Sequence, residues 1–186
     1  MKKFELTTEF ITNMFGKKLF RIKALVEFGN VKAGELGGYV EKEENVSQDG
    51  NAWVSGDARV YGDAEVSGNA RVSGNARVYG NAWVSGNAEV SGNAWVSGNA
   101  RVSGNARVSS DADYALVQGF GTEFRCTTFY RGKNKKIMVN CGCFHGDLEG
   151  FRKQVKETRN GKIAKEYLMI ADLMEYHFTS EDSSNE

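Results

Sequence analysis

The chain has 186 residues, no formal net charge at pH 7 and a mean hydropathy of -0.48. This length fits one or two domains of about 100–200 residues. The composition excludes a disordered chain, and no apolar run reaches the roughly 18 residues that a membrane span needs. Abundant Gly (22 residues) without Pro predicts a continuously hydrogen-bonded sheet with tight turns, and three Cys argue against a disulfide framework. The start of the chain lacks an apolar signal segment, which predicts a cytoplasmic protein without membrane contact.

Residues 1–49 are predicted to cap the structure that follows them, because an open sheet end needs a cover. A first apolar segment contains Phe10, Ile11, Met14 and Phe15. A second runs from 19 to 25, and the turn at residues 16–18 joins the two.

Residues 50–109 consist of ten consecutive copies of Gly-(Asn/Asp)-Ala-x-Val-(Ser/Tyr). In each copy Ala and Val alternate with outward residues, which predicts a short strand with one buried face. Gly and Asn or Asp tolerate a positive φ, so a corner follows each strand. Three strands complete a coil of 18 residues, and stacked coils form a parallel β-solenoid over residues 50–112. Upstream, Val40 and Val46 share the period, and two extra residues precede Val54.

The outward positions of the repeat carry most of its variation, and residues 18 positions apart are expected to stack in columns. Two columns avoid neighbouring like charges: Trp53, Arg71, Glu89 and Arg107 in one, and Glu65, Trp83 and Arg101 in the other. The third column contains Arg59, Arg77 and Trp95, beside Tyr61 and Tyr79. Arginine with aromatic surface is typical of sites for protein partners and for nucleotide-like, phosphorylated ligands. The alternative interpretation is that these side chains only stabilise the sheet surface.

The hexapeptides, for example Val54-Ser55-Gly56-Asp57-Ala58-Arg59, resemble those of the hexapeptide-repeat proteins. The resemblance implies a left-handed parallel β-helix, although spacing alone does not give the hand and the general crossover rule favours right. Residues 19–25 and 37–45 are similar to the YdcK-like group of these proteins. That similarity implies a source in a bacterium or its prophage.

Residues 113–178 are predicted to form a small α+β domain. Three strands are expected, over residues 114–118, 122–130 and 136–143. Asp147 opens a first helix that ends at Asn160-Gly161, and apolar residues from Ile163 to Met174 mark a second. Residues 179–186 are predicted to be a flexible acidic tail. Residues 127–131, 141–144 and 165–167 resemble a module of phage proteins.

Basic residues concentrate in this domain, since residues 123–165 hold eleven Lys and Arg against four acids. A basic stripe beside hydroxyl groups could hold phosphates. The candidate residues are Arg125, Thr127, Thr128, Tyr130 and Arg131. The alternative is a solvated face that the acidic tail neutralises.

The cysteines offer a candidate metal site, Cys141, Cys143 and His145, with Cys126 as a fourth possible ligand. Thiolate and imidazole suit zinc, but zinc sites ordinarily use a Cys-x2-Cys spacing. We therefore expect Cys141 and Cys143 to be buried on one face of one strand, about 7 Å apart. No metal and no cofactor is predicted.

The chain has two histidines, His145 and His177, and neither lies in the repeat. The resemblance implies a histidine base in acyltransferases of this superfamily, and here no repeat residue can take that role. The sequence therefore predicts a non-enzymatic binding or scaffold protein without catalytic residues. Its solenoid would present or oligomerise a C-terminal domain that binds a protein partner or a phosphorylated ligand. The alternative is an acyltransferase with an atypical base.

Self-association is predicted from the three tryptophans, which lie one on each face. Exposed Trp is costly unless a partner covers it. Trp53, Trp83 and Trp95 are therefore interface candidates, and the resemblance implies a homotrimer.

Overall fold

The structure is a computed structural model that describes residues 2–179. The chain divides into two compact units, Met1–Asp111 and Ala112–Glu186. The predicted tail lies outside the described residues, apart from Thr179. Neither helix in the described part of the chain combines the length and the apolar character needed to cross a bilayer.

The first unit begins with an antiparallel hairpin of β1 (Phe4–Thr12) and β2 (Lys18–Ala24). Asn13 builds the turn between them, because its Oδ1 accepts the backbone N–H groups of Phe15 and Lys17 at 2.9 and 3.0 Å. β2 pairs antiparallel with β3 (Leu36–Val40), which is the first parallel strand of the solenoid. The hairpin therefore continues one face of the solenoid.

Ten two-residue strands follow, one in each hexapeptide. They are β4 (Trp53–Val54), β5 (Arg59–Val60), β6 (Glu65–Val66), β7 (Arg71–Val72), β8 (Arg77–Val78), β9 (Trp83–Val84), β10 (Glu89–Val90), β11 (Trp95–Val96), β12 (Arg101–Val102) and β13 (Arg107–Val108). They form three parallel faces, β3-β5-β8-β11, β4-β7-β10-β13 and β6-β9-β12. The predicted β-solenoid is confirmed, and it has about four turns. Its left hand stays a prediction.

The interior of the solenoid is built from the Val and Ala of each hexapeptide, which are at most 1% exposed from Ala52 to Val108. Backbone hydrogen bonds link the coils, as between Trp53 N and Ala70 O at 3.0 Å and between Arg71 N and Ala88 O at 2.9 Å. Because the same residue type returns in each coil, side chains and backbone groups stack in register.

The corners need glycine for two reasons, as Gly68 shows. Its φ is +67°, a conformation that strains residues with a Cβ. A Cβ at Gly68 would also lie 3.1 Å from the backbone nitrogen of Gly86 in the next coil. Beside the corners, Asn side chains form ladders: Asn69 donates to Asn87 at 3.1 Å.

The first coil is covered by residues from the start of the chain. Lys3 is 4% exposed, and its ammonium donates to the carbonyl of Ala52 at 2.9 Å. The Gln48 side chain accepts from the backbone of Lys3 at 2.8 Å and donates to Phe4 O at 3.2 Å. The Lys3 ammonium therefore satisfies a carbonyl of the first coil, which has no preceding coil to pair with. The Gln48 side chain holds the start of the chain against this coil.

The second unit is an antiparallel sheet followed by two helices. The strands are β14 (Tyr114–Phe120), β15 (Arg125–Arg131), β16 (Ile137–Cys141) and β17 (Phe144–Asp147), paired in chain order. The helices are α1 (Leu148–Thr158) and α2 (Gly161–Thr179). Asp147 caps α1, since its side chain accepts from Gly150 N at 2.9 Å. Phe129 and Val139 of the sheet pack with Phe151 of α1 and Ala171 of α2.

The third predicted strand, residues 136–143, is wrong at its C-terminal end. Gly142 has a φ of +60°, and the chain reverses there so that Phe144 pairs with Cys141. The structure therefore has a fourth strand, β17, that the sequence analysis did not predict.

Candidate functional site

The third face of the solenoid carries a continuous outward row, Tyr39, Arg59, Arg77 and Trp95, which we call the arginine–aromatic row. Parallel pairing places Tyr39 beside Arg59, Arg59 beside Arg77 and Arg77 beside Trp95. Neighbouring strands lie about 4.8 Å apart, so the row is a narrow strip along the solenoid. The strand register agrees with the predicted stacking of Arg59, Arg77 and Trp95. It also places Tyr39 next to Arg59 at the start of the row.

Arg77 and Trp95 form the upper part of the row. The Arg77 guanidinium carbon lies 4.5 Å from the centre of the Trp95 ring, within the range of a cation–π interaction. Trp95 is 41% exposed, and Arg59 and Arg77 are half-buried. Within the described part of the chain, neither arginine forms an ion pair.

A third arginine, Arg21, lies at the other end of the row beside Tyr39 and is neutralised. Arg21 donates to Glu9 Oε1 at 2.9 Å, and the Tyr39 hydroxyl donates to the same oxygen at 3.1 Å. These hydrogen bonds, Arg21 first, lower the pKa of Glu9, and the bond to Glu9 raises the pKa of Arg21. Burial, followed by the bond to Glu9, raises the pKa of Tyr39. Glu9 is therefore a carboxylate held between two donors.

The other two described faces balance their charges. On the face of β10, Glu89 pairs with Arg107 at 3.2 Å and lies beside Arg71. On the face of β9, Arg101 lies 5.7 Å from the Trp83 ring, and Glu65 is the other neighbour of Trp83. Of the three described faces, only the arginine–aromatic row has two arginines on adjacent strands.

Tyr61 and Tyr79 lie next to the row and stack with their ring centres 5.0 Å apart and their planes 3° from parallel. The expectation that Tyr61 faces a ligand is wrong, because it is 9% exposed and packs with Leu19 and Tyr39. Burial raises the pKa of Tyr61. Tyr79 is half-buried. The pair therefore supports the row from the side and leaves the arginines and Trp95 as its accessible groups.

The three tryptophans have different surroundings. Trp83 and Trp95 are 40% and 41% exposed, as an interface role requires. The expectation that Trp53 is exposed is wrong: it is 2% exposed, and the rings of Phe4 and Phe28 lie 6.2 and 5.4 Å from it. The N-terminal segment covers Trp53, so this side chain is not accessible on the surface of the first unit.

The basic stripe predicted in the second unit is not assembled around hydroxyl groups. Thr127, Thr128 and Tyr130 are at most 2% exposed, so the expectation that they bind phosphate is wrong. Arg131 is held by Asp113 at 3.0 Å. Arg125 alone of these candidates is exposed.

The candidate metal ligands do not lie on a single strand, because the chain turns at Gly142. Cys141 ends β16 half-buried, whereas Cys143 lies in the turn and is exposed, so the two are not buried on one strand face. The His145 ring contacts Asn140, and His177 is exposed on α2. The described residues contain no group of three or more Cys, His, Asp or Glu that could hold a metal ion.

The second unit contains a small cavity of about 80 Å³ that no sequence pattern predicts. Its lining includes Cys141 and Cys143 together with Arg125, Arg159 and Tyr167. These residues come from the sheet and both helix regions, so no local motif brings them together. The one local signal is Gly142 between two cysteines, which indicates a turn.

Comparison with known families concerns the solenoid. A family model described as YdcK Beta solenoid repeat matches residues 64–80, 70–86 and 100–112. The matched segments fall within the solenoid, residues 50–112, so the chain is similar to the YdcK β-solenoid repeat over these residues. A search of curated proteins found no match. The repeat and the fold together define a scaffold-type repeat protein.

Proposed function

We propose that this protein is a non-catalytic scaffold whose arginine–aromatic row binds the phosphate or carboxylate groups of a partner. The observation that carries the proposal is the contrast within one row. Arg21 is neutralised by Glu9 at 2.9 Å, whereas Arg59 and Arg77 have no ion pair with a described residue.

Charge repulsion gives the row its preference for an anion. Two unit charges about 5 Å apart repel by about 1 kcal/mol in water, and by more where the surface lowers the dielectric constant. A phosphate or carboxylate between Arg59 and Arg77 removes this repulsion and accepts hydrogen bonds from both guanidinium groups.

The solenoid holds these groups in place before a ligand arrives. The backbone of β5 and β8 is fixed by parallel hydrogen bonds, as between Arg59 N and Ala76 O at 2.9 Å. The Arg77 side chain rests on Trp95, which limits its rotamers. Preorganisation of this kind lowers the entropy that binding costs.

The proposal includes self-association and a source in a bacterium or prophage. Trp83 and Trp95 are exposed on different faces, and a second copy of the chain is the simplest cover for them. A homotrimer would then carry three arginine–aromatic rows, one on each chain. The similarity of residues 19–25 and 37–45 to YdcK-like proteins, and of the second unit to a phage module, supports the source.

The test is calorimetric titration of the full chain with inorganic pyrophosphate and with a phosphoserine peptide. We expect binding that weakens with salt, and a loss of about tenfold for Arg59→Gln or Arg77→Gln, since each removes a hydrogen bond to a charged group. Arg71→Gln is the matched control, because Arg71 holds the same repeat position beside Glu89. Equal affinities for Arg77→Gln and Arg71→Gln, or no binding by the native chain, would contradict the proposal. Turnover of acetyl-coenzyme A would instead favour the acyltransferase.

A further inference from the structure

The cavity in the second unit brings two thiols to the same place as two guanidinium groups. Cys141 lies at the end of β16, and Cys143 lies in the turn that follows. Arg125 at the start of β15 and Arg159 after α1 line the same cavity of about 80 Å³. The space admits a molecule of a few heavy atoms.

Cys141 is the better placed of the two thiols for reaction. The Thr127 hydroxyl donates to its sulfur at 3.1 Å. Thr127 is 2% exposed, so solvent does not compete for this hydrogen bond. A hydroxyl donor stabilises a thiolate more than a neutral thiol, and the thiolate is the nucleophilic form.

Arg125 and Tyr167 complete the surroundings of the sulfur. Arg125 packs on the turn, because a Cβ at Gly142 would lie 2.6 Å from its Nη1. The Tyr167 hydroxyl donates to Phe120 O at 3.3 Å. Burial, followed by the neighbouring Cys141, raises the pKa of Tyr167, so this hydroxyl remains protonated. The cavity therefore offers fixed positive charge and an O–H group around Cys141.

The turn brings Cys143 within reach of Cys141. Residues two positions apart are separated by at most about 7 Å between their Cα atoms. Gly142 at φ +60° turns the chain between them, so we expect their Cα atoms to come within the range of about 4.4–6.8 Å that a disulfide spans. Both thiols are free in the structure.

We propose that Cys141 and Cys143 are a hydroperoxide-sensitive thiol pair that closes to a disulfide. The Cys141 thiolate attacks the terminal oxygen of the hydroperoxide, the O–O bond breaks, and the leaving alkoxide takes up a proton as alcohol. The sulfur is oxidised by two electrons to a sulfenic acid. Cys143 then attacks that sulfur, the S–S bond forms, and hydroxide leaves with the Cys143 proton as water. A dithiol reductant restores both thiols.

The arginines assist the leaving group, because positive charge in a small cavity stabilises the alkoxide as the O–O bond breaks. The cavity residues belong to the second unit, whereas the arginine–aromatic row belongs to the first. This inference therefore stands or fails independently of the proposed function.

The experiment treats the reduced full chain with stoichiometric hydrogen peroxide, alkylates remaining thiols and maps tryptic peptides by mass spectrometry. Trypsin releases both cysteines in the peptide 137–152 and Cys126 separately in 126–131. We expect the first peptide to lose two hydrogens and escape alkylation while Cys126 is still alkylated. In Cys143→Ser, dimedone should trap a sulfenic acid at Cys141.

Matched variants test the role of the cavity. Arg125→Gln should slow oxidation of Cys141 about tenfold, since a charged hydrogen-bond donor is lost. Lys153→Gln should leave the rate unchanged, because Lys153 is exposed on α1 and does not line the cavity. Oxidation of Cys126 as fast as Cys141, disulfides only between chains, or an unchanged rate in Arg125→Gln would overturn the inference.

Discussion

Trp53 and Trp83 test how the surroundings of a tryptophan change its contribution to the free energy of unfolding. Both occupy the same place in identical hexapeptides, Gly-Asn-Ala-Trp-Val-Ser. Trp53 is 2% exposed between Phe4 and Phe28, whereas Trp83 is 40% exposed. The perturbation replaces each tryptophan by alanine in separate variants of the full chain.

The buried tryptophan should contribute much more to stability. Trp53→Ala should lower the free energy of unfolding by about 3–5 kcal/mol, because it removes buried apolar surface and leaves a cavity. Trp83→Ala should cost about 1 kcal/mol, the scale of one hydrogen bond or one exposed cation–π contact. The hydrogen bond runs from Trp83 Nε1 to Ser67 Oγ at 3.2 Å, and the Arg101 guanidinium carbon lies 5.7 Å from the centre of the Trp83 ring.

Urea unfolding followed by far-ultraviolet circular dichroism measures both losses. The signal reports backbone structure, so the removal of a fluorescent side chain does not disturb it. The slopes of the two variants should agree with that of the native chain, which makes the midpoints comparable. Equal losses for the two variants would refute the role assigned to Phe4 and Phe28.

Two further predictions concern Lys3 and Trp95. Burial lowers the pKa of Lys3 to about 8 from 10.5, so the unfolded chain binds more protons between these values. Relative to Lys3→Met, the native chain should therefore gain stability as pH rises from 8 to 10.5 and show no such gain below 8, as urea unfolding at each pH would measure. A constant difference across that window would contradict the assignment. Trp95→Ser should weaken self-association measurably, since burying one Trp stabilises a contact by roughly 2–3 kcal/mol. Light scattering checks this, and a native monomer of 20.5 kDa would remove the oligomer from the proposed function.

In the second unit, sequence patterns predict the helices but neither the end of the third strand nor the cavity. The helices follow from their apolar spacing and from Asp147, whose capping bond to Gly150 N is local at 2.9 Å. The strand predicted over residues 136–143 is too long at its C-terminal end, because the apolar pattern runs through the turn at Gly142. The cavity around Cys141 depends on contacts between residues far apart in the chain, and no short motif encodes them.

The hexapeptide sequence is sufficient to predict the solenoid. The six-residue period predicts one short strand and one corner in each hexapeptide, and three hexapeptides complete a coil. The pairing register between coils follows, because residues 18 positions apart occupy the same place in successive coils. The columns through Arg71, Trp83 and Arg77 were therefore predictable from spacing alone, and the pairing of these strands agrees with them. Local geometry was sufficient because the strands of the repeat pair with other copies of the same hexapeptide.

The accessibility of the outward side chains depends on how the whole unit folds. Trp53 and Trp83 share one hexapeptide sequence, yet Phe4 and Phe28 bury the first and leave the second exposed. Arg21 meets Glu9 across the hairpin, a contact that no repeat position predicts. The physical reason is that burial and charge pairing depend on non-repeating segments that fold back onto the solenoid, and the repeat contains no information about where they lie.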